Sequence, residues 1–245
     1  MMKYNTGNFS YFWQRSKKVS TMENNIKLLL IRFKNELRHD EIKYFRGAVI
    51  HGLPYKDILF HNHKSEGLRY AYPLIQYKRI QNRAAILCLN EGTEVIEDFF
   101  SSYQPEFLIG NHPVTLQINC LNPVFFSIAQ TETDTVTYQL TRWLPLNTQN
   151  YQLYHKLAGM AERILFLEKI LVANILSCTK GLKIHLDQQL VCKIQEITDS
   201  YPVVHKGVKF MAFNIVFSAN ITLPDYIGIG KNASMDCGIL QQLDI

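Results

Sequence analysis

The sequence predicts a mixed α+β fold made of two tandem domains, with a glycine-rich loop near the C-terminus. Short apolar runs of strand length alternate with amphipathic stretches that have helical spacing. From residue 26 the order is strand, helix, strand, strand, helix, strand, and a similar order starts again after residue 123. Such a βαββαβ order is typical of the ferredoxin-like, or RRM-like, fold. We therefore expect 1–25 to be a disordered N-terminal extension, 26–123 a first ferredoxin-like domain and 124–245 a second.

The first domain is predicted element by element from its apolar spacing. Residues 26–33 form a short apolar run of strand length. Over residues 41–53 apolar side chains recur at offsets of three, four, seven and eight, which predicts a helix with one buried face. The remaining elements are expected as strands over 68–79 and 84–89, a helix capped by Thr93, and extended chain over 107–120.

The second domain starts after a break expected at Asn122 and Pro123. A strand over 135–143 precedes a helix over 148–178 that Thr148 is predicted to cap. The apolar stripe of this helix comprises Leu153, Leu157, Met160, Ile164, Leu167, Leu171 and Ile175. Further strands are expected over 190–197, 208–218 and 238–243. The second helix of this domain is predicted to be short or missing.

Composition excludes several classes of protein. A chain of 245 residues with 47% hydrophobic content can bury a substantial core. The net charge of +5 suits a solvated surface as well as a polyanionic partner. The five cysteines contain no Cys-x-x-Cys, so neither a disulfide framework nor a zinc ribbon is indicated. The sequence also has no apolar run of transmembrane length and no signal peptide, so we expect a cytoplasmic protein without a membrane partner.

The segment 223–238 contains glycines at positions where a backbone could approach a phosphate. Gly228, Gly230 and Gly238 would let amide groups face an anion, and Lys231 would add a positive charge. A tight structural loop is the alternative interpretation. A dinucleotide-binding fold is excluded, because its glycines belong in the first strand-to-helix turn.

Four segments resemble a known family. The strand over 210–217 followed by Leu-Pro-Asp-Tyr-Ile-Gly-Ile-Gly-Lys is similar to the C-terminal signature of CRISPR-associated repeat-processing endoribonucleases of the RAMP superfamily. Residues 44–50, 58–63 and 69–78 are similar to the N-terminal half of bacterial members. The resemblance implies two ferredoxin-like domains and cleavage within CRISPR repeat RNA. It implies neither a metal nor a nucleotide cofactor.

The loop departs from the family pattern at two positions. Asn232 and Asp236 stand where the family has glycine, and Ile239 and Leu240 follow Gly238 without a closing glycine. Asn and Asp tolerate a left-handed backbone best among the other residues, so we expect the loop geometry to hold. Asp236 is expected to weaken phosphate binding through its charge.

The resemblance implies that His61 and His63 are the catalytic pair, with His51 as a reserve candidate. Metal-free RNA cleavage uses the 2′-OH as nucleophile, so one group accepts its proton and another protonates the leaving 5′ oxygen. Imidazole, with a pKa of about 6.5, can do either. Which histidine is acid and which is base stays open. Two exposed loop histidines, or a zinc site lacking a clear third ligand, are the alternatives.

RNA binding is predicted beyond the cut site. Lys64 is a candidate for stabilising the transition state. After it, cations interleave with rings that can stack on bases, at Arg69, Tyr70, Tyr72, Tyr77, Lys78, Arg79 and Arg83. The Gly-loop candidates are Gly228, Gly230, Lys231, Ser234 and Gly238. Alternation along a strand means that about half of the first set should instead pack inward.

The expected partner is CRISPR repeat RNA, and the expected products are a 2′,3′-cyclic phosphate and a 5′-OH. A RAMP-type subunit that holds guide RNA without cutting it is the main alternative, and a structural protein with the same fold is the next. The sequence leaves open a homodimer and a CRISPR effector complex as further partners.

Overall fold

The computed structural model describes residues 24–52, 59, 63–64, 67–68, 72–101, 106–110, 112–131, 134–205 and 207–243. Nearly all of the predicted N-terminal extension therefore lies outside the described residues. The chain divides into two compact units, 1–125 and 126–245.

In the residues that the structure describes, the first half of the chain contains one four-stranded main sheet, two short two-stranded sheets and two α-helices. In chain order the elements are β1 (Asn25–Glu36), α1 (Ile42–His51), β2 (His63–Lys64), β3 (Gly67–Leu68), β4 (Ile75–Ile80), β5 (Arg83–Leu89), α2 (Gly92–Ser101), β6 (Glu106–Ile109), β7 (His112–Thr115) and β8 (Ile118–Ser127). The main sheet has the order β4-β5-β1-β8, and β1 and β4 both pair antiparallel with β5. With β1, β4, β5 and β8 as its four strands, this is the predicted ferredoxin-like arrangement.

Three aromatic rings join the elements of the first core. Phe45 of α1 meets Phe33 of β1 and Tyr77 of β4 edge-on, with ring centroids 5.7 and 6.0 Å apart. All three side chains are fully buried. The β4–β5 hairpin turns through Gln81 and Asn82, whose φ angles of 49° and 64° suit a two-residue turn. The predicted strand–helix–strand–strand order thus has a packed core.

Three predictions for the first unit are wrong in extent. The strand predicted from residue 68 becomes part of the main sheet only at Ile75, just after Pro73, which has no N–H for a ladder. The extended chain predicted over 107–120 is split, because Gly110, at φ 65°, turns β6 back into β7. The break expected at Pro123 is absent, since β8 is an edge strand and tolerates proline.

The second unit repeats the sheet order with one helical region. Its elements are β9 (Val136–Trp143), α3 (Thr148–Lys156), α4 (Met160–Gly181), β10 (Cys192–His205), β11 (Val208–Ala219) and β12 (Ile239–Gln242). The sheet order β10-β11-β9-β12 is the ferredoxin-like order again. Within residues 220–238, all of which are described, the chain between β11 and β12 forms a loop and no helix. This agrees with the prediction of a short or missing second helix.

The single helix predicted over 148–178 is two helices. Leu157, at ψ 130°, and Gly159, at ψ 160°, are extended, so α3 ends before them and α4 begins after them. Of the predicted stripe, Leu167, Leu171 and Ile175 are buried. By contrast Leu153 is 50% exposed and Met160 63% exposed. Only the part of the stripe from Leu167 onward is core.

Both predicted threonine caps are wrong. The N-cap of α3 is Asn147, whose side chain accepts a hydrogen bond from the N–H of Asn150. Thr93 lies inside α2, and its hydroxyl donates to the carbonyl of Asn90. Among the helices that the structure describes, none is long and apolar enough to cross a membrane.

Candidate nucleic-acid interface

The histidines predicted to be catalytic belong to the segment after α1. His61 lies outside the described residues. His63 begins β2, and its backbone pairs with Leu68 of β3. His51 is the last residue of α1 and its side chain is exposed. The backbone of His63 therefore sits in a short hairpin, while the juxtaposition of the two catalytic candidates stays a prediction.

Lys64 and Arg69 belong to the same segment. The backbone of Lys64 pairs with Gly67, which closes the two-residue hairpin of β2 and β3. Arg69 and Tyr70 lie outside the described residues. Their contacts with RNA stay predictions.

The residues of β4 that were predicted to bind RNA lie mostly in the interior of the first unit. Tyr77 and Lys78 are both 0% exposed, so both faces of this strand are covered. Burial raises the pKa of Tyr77 above its ordinary range. The surface position expected for the two side chains is therefore wrong, because both lie in the interior.

Arg79 is tied to the protein itself. Its Nε donates to the carbonyl of Leu37 at 2.6 Å, and a terminal guanidinium nitrogen lies 3.2 Å from Nε2 of His39. Arg79 therefore links β4 to the turn between β1 and α1. Arg83, at the start of β5, is exposed.

The loop over 223–238 folds back on β12 and is fastened to β9. The N–H of Ile229 donates to the carbonyl of Gly238 at 2.7 Å, and the N–H of Gly238 donates to the carbonyl of Arg142 at 3.0 Å. Gly228 forms an isolated antiparallel bridge with Ile239. The two ends of the loop are thus paired with each other, and its tip spans residues 230–237.

Close packing explains two of the glycines. Gly230 has φ 87°, and a Cβ there would lie 2.6 Å from Asn174 Oδ1 and 3.1 Å from Trp143 Nε1. Those two atoms are hydrogen-bonded to each other at 2.9 Å. Gly238 has φ 60°, and a Cβ there would lie 1.9 Å from the carbonyl oxygen of Ile229. The loop therefore needs these glycines for its own fold, whatever it binds.

The two departures from the family pattern adopt the expected backbone. Asn232 and Asp236 have φ angles of 57° and 59°, so both are left-handed. The side chain of Asp236 is 1% exposed. Its carboxylate therefore lies beneath the loop surface. The sequence had predicted that this charge would lie beside a bound phosphate.

Lys231 carries the positive charge of the loop tip. Its side chain is exposed, and Nζ lies 4.2 Å from the ring centroid of Phe210 on β11. A cation held over a ring in this way is attracted to the ring face. Ser234 is half-buried in the same tip. The loop thus presents one ammonium group next to an aromatic side chain.

Sequence reasoning missed Arg142 at the bulge between β9 and β11. The pairing Phe213↔Trp143 and Ile215↔Leu140 leaves one extra residue in β9. Arg142 has φ 52°, and its N–H donates to Asn214 Oδ1 at 2.8 Å. Nothing in the sequence signals this bulge, because it arises from pairing with strands that are distant along the chain.

Within the described part of the chain, no three His, Cys, Asp or Glu side chains are grouped as a metal ion would require.

Comparisons with known proteins point to one family. The model of the Cas6b N-terminal domain matches residues 24–124, and that of the Cas6b C-terminal domain matches residues 130–243. A relative from Methanocaldococcus jannaschii, described as "Uncharacterized protein MJ0978", is 38% identical over 99 residues. That match covers 40% of this chain and 66% of the relative, which is just under two thirds of its length.

Solved structures share the fold over most of the chain. A crystal structure of Cas6b is 26% identical, with a TM-score of 0.81, and covers 89% of this chain and 100% of its own. A second, of "CRISPR RNA processing endoribonuclease Cas6b", is 24% identical with a TM-score of 0.69 and the same coverage. A third, "Csf5, CRISPR-Cas type IV Cas6 crRNA endonuclease", is 13% identical with a TM-score of 0.55, covering 90% and 100%. The last two show likeness of fold.

Proposed function

Because the chain belongs to the Cas6b family, we propose that it is an endoribonuclease that processes CRISPR RNA by cutting within the repeat. The observation that carries this proposal is the match of both family domains, in order, to the two units of the chain. A structural relative described as a CRISPR RNA processing endoribonuclease supports it. The RNA substrate is then the repeat of a CRISPR array.

His61 and His63 are the groups to which we assign proton transfer. One imidazole accepts the proton of the 2′-OH, and the other protonates the 5′ oxygen as it leaves. The products are a 2′,3′-cyclic phosphate and a 5′-OH, and no metal ion takes part. The support for this assignment is that His61-Asn-His63 follows α1, where the resemblance to the family implies catalytic histidines.

The glycine loop contributes binding. The amide groups of Ile229 and Gly238 already donate within the protein. Contact with a phosphate therefore falls to the loop tip, where Lys231 is the exposed cation. Holding the RNA so that the 2′-OH attacks in line supplies much of the acceleration.

The proposal is tested by incubating purified protein with repeat RNA, transcribed from the CRISPR array of the source genome, in excess EDTA. We expect cleavage at one position in the repeat, with a cyclic phosphate at the new 3′ end. A 2′-deoxy substitution at the cut site should abolish cleavage and leave binding largely intact. Cleavage that requires a divalent ion would overturn the metal-free mechanism.

Histidine variants test the assigned residues. Replacing His61 or His63 with Ala should lower the cleavage rate by about 10²–10⁴-fold, the usual contribution of a general acid or base. His185→Ala is a matched control, because the His185 side chain is 89% exposed on the second unit. Full activity in His61→Ala/His63→Ala protein would contradict the assignment. Wild-type protein that binds the repeat and never cuts it would instead fit the guide-RNA-binding subunit.

A further inference from the structure

One face of the second sheet is free of the two helices of that unit. Trp143 and Phe213 point toward the helices, because Trp143 bonds Asn174 of α4 and Phe213 meets the ring of Tyr154 of α3 at 5.9 Å. Neighbouring residues on a strand face opposite ways. Ala212, next to Phe213, therefore points to the other face, as does Tyr201, its partner in the ladder.

Two aromatic rings lie half-buried on that helix-free face. Tyr201 and Phe210 both pack against a small cluster of Leu144, Ala212 and Cys237. Because the cluster supports them from below, each ring has one side anchored and part of its surface exposed. A ring held in this way can stack on a base at low entropic cost.

Two cations flank the rings. Lys231 Nζ lies over Phe210, as described above. The second cation is Arg142, which lies near Tyr201. Asn214 connects the two residues, because its Oδ1 accepts the N–H of Arg142 and its side chain hydrogen-bonds the side chain of Tyr201. Burial raises the pKa of Tyr201 and is the larger effect, while the positive charge of Arg142 lowers it. Asp199 is the acidic group near the same hydroxyl.

The conformation of Arg142 is costly for the fold. A left-handed backbone at a residue other than glycine costs about 1–2 kcal/mol. The Nε of Arg142 is buried and has no hydrogen-bond partner within the described residues. Strained and unsatisfied groups of this kind are concentrated at functional sites. The bulge has no evident structural need for an arginine side chain. In the part of the chain that the structure describes, only the N–H and the carbonyl of residue 142 form its hydrogen bonds, to Asn214 and Gly238 respectively.

We propose that the helix-free face, defined by Arg142, Tyr201, Phe210 and Lys231, binds unpaired nucleotides of the RNA substrate. One base stacks on Tyr201, and a second takes the place of Lys231 Nζ over Phe210 as the lysine turns to an adjoining phosphate. Arg142 contacts a further phosphate. Single-stranded RNA suits this arrangement, because paired bases cannot reach rings set into a sheet. The inference rests on the proposed function and adds which part of the second unit holds the RNA.

Binding measurements with paired variants test the face. Arg142→Asn removes the charge while keeping a residue that tolerates the left-handed backbone. Its control is Lys183→Asn, since Lys183 also carries a charge at a left-handed position, φ 64°, after α4. Phe210→Leu removes the ring and keeps apolar packing. Its control is Tyr151→Leu, which removes a 42% exposed ring from α3.

The RNA used is labelled repeat RNA, single-stranded or annealed to its complement. We expect Arg142→Asn and Phe210→Leu each to weaken binding of the single strand about tenfold, the effect of one charge-assisted contact or one stacked base. Arg142→Asn should also reduce the slope of log K against log salt by about 0.7. The controls should bind as wild type, and Phe210→Leu should bind the duplex as wild type. Unchanged binding of the single strand by both variants would overturn the proposal.

A measurement on wild-type protein tests the same face without depending on how well the variants fold. Repeat RNA containing 4-thiouridine is photo-crosslinked to the intact protein, and the crosslinked peptides are identified by mass spectrometry. Crosslinks to peptides containing Tyr201 or Phe210 are expected. Crosslinks confined to other peptides, from protein that still cuts the repeat, would reject this face and leave the proposed function standing. Protein that neither binds nor cuts the repeat would reject both.

Discussion

At the scale of single residues, glycine is required for two separable reasons. Gly230 and Gly207 both have left-handed backbones, with φ angles of 87° and 77°. Among the described residues, and apart from the chain neighbours, no atom lies within 4 Å of a Cβ added at Gly207, whereas Gly230 faces the bonded pair of Trp143 and Asn174. The two positions therefore separate the cost of backbone strain from the cost of overpacking.

Gly230→Ala is expected to lower the free energy of unfolding by about 2–4 kcal/mol, because strain and overpacking add. Gly207→Ala should lower it by only about 1–2 kcal/mol, from strain alone. Urea denaturation of the two variants checks the difference. Equal losses would mean that the Trp143–Asn174 pair gives way to the methyl group at no cost. Gly230→Ala should also weaken RNA binding, since Lys231 is its neighbour.

At the scale of elements, α3 depends on its cap. The helix buries no residue. A nine-residue helix with no buried side chain has little stability of its own. Its ends therefore count for more than those of α4, which buries six side chains.

Asn147→Ala should destabilise α3 by about 1 kcal/mol, because it removes the acceptor for the N–H of Asn150. Thr148→Ala, one residue later, should change it by no more than about 0.5 kcal/mol. Since α3 can open locally, amide hydrogen exchange at Asn150 is the measurement of choice. Faster exchange in Thr148→Ala than in Asn147→Ala would restore threonine as the cap.

At the scale of the whole molecule, buried weak acids limit alkaline stability. Burial raises the pKa of Cys192 from 9.0 to about 12 and that of Tyr138 from 10.0 to about 12. Burial also raises the pKa values of Cys88 and Tyr77. Because the unfolded chain loses these protons first, stability is complete below about pH 9 and falls as pH rises toward 12.

Removing one such acid should flatten that fall. Cys192→Ala is expected to reduce the slope of unfolding free energy against pH by up to about 1.4 kcal/mol per unit above pH 9. Cys120→Ala is the control, since Cys120 is exposed on β8. Urea denaturation from pH 8 to pH 11 measures both slopes. A steeper fall in Cys192→Ala than in wild type would contradict the burial argument.

The sequence by itself determined the order of elements and the family. Apolar spacing is a local property, so β1, α1, β5 and β9 could be predicted close to their observed bounds. The left-handed backbone of Asn232 and Asp236 was also predictable, from the tolerance of these residue types. The histidine pair was assigned from the family resemblance and stays a prediction.

Tertiary structure decided which side chains are available to RNA. Tyr77 and Lys78 fit a surface strand by type, yet both faces of β4 are covered. Gly230 suited a phosphate cradle, yet it is required by Asn174, 56 positions earlier in the chain. Arg142 became a candidate only through the bulge that β11 imposes on β9. Burial and register depend on contacts between distant segments, and a local pattern of residues carries no information about them.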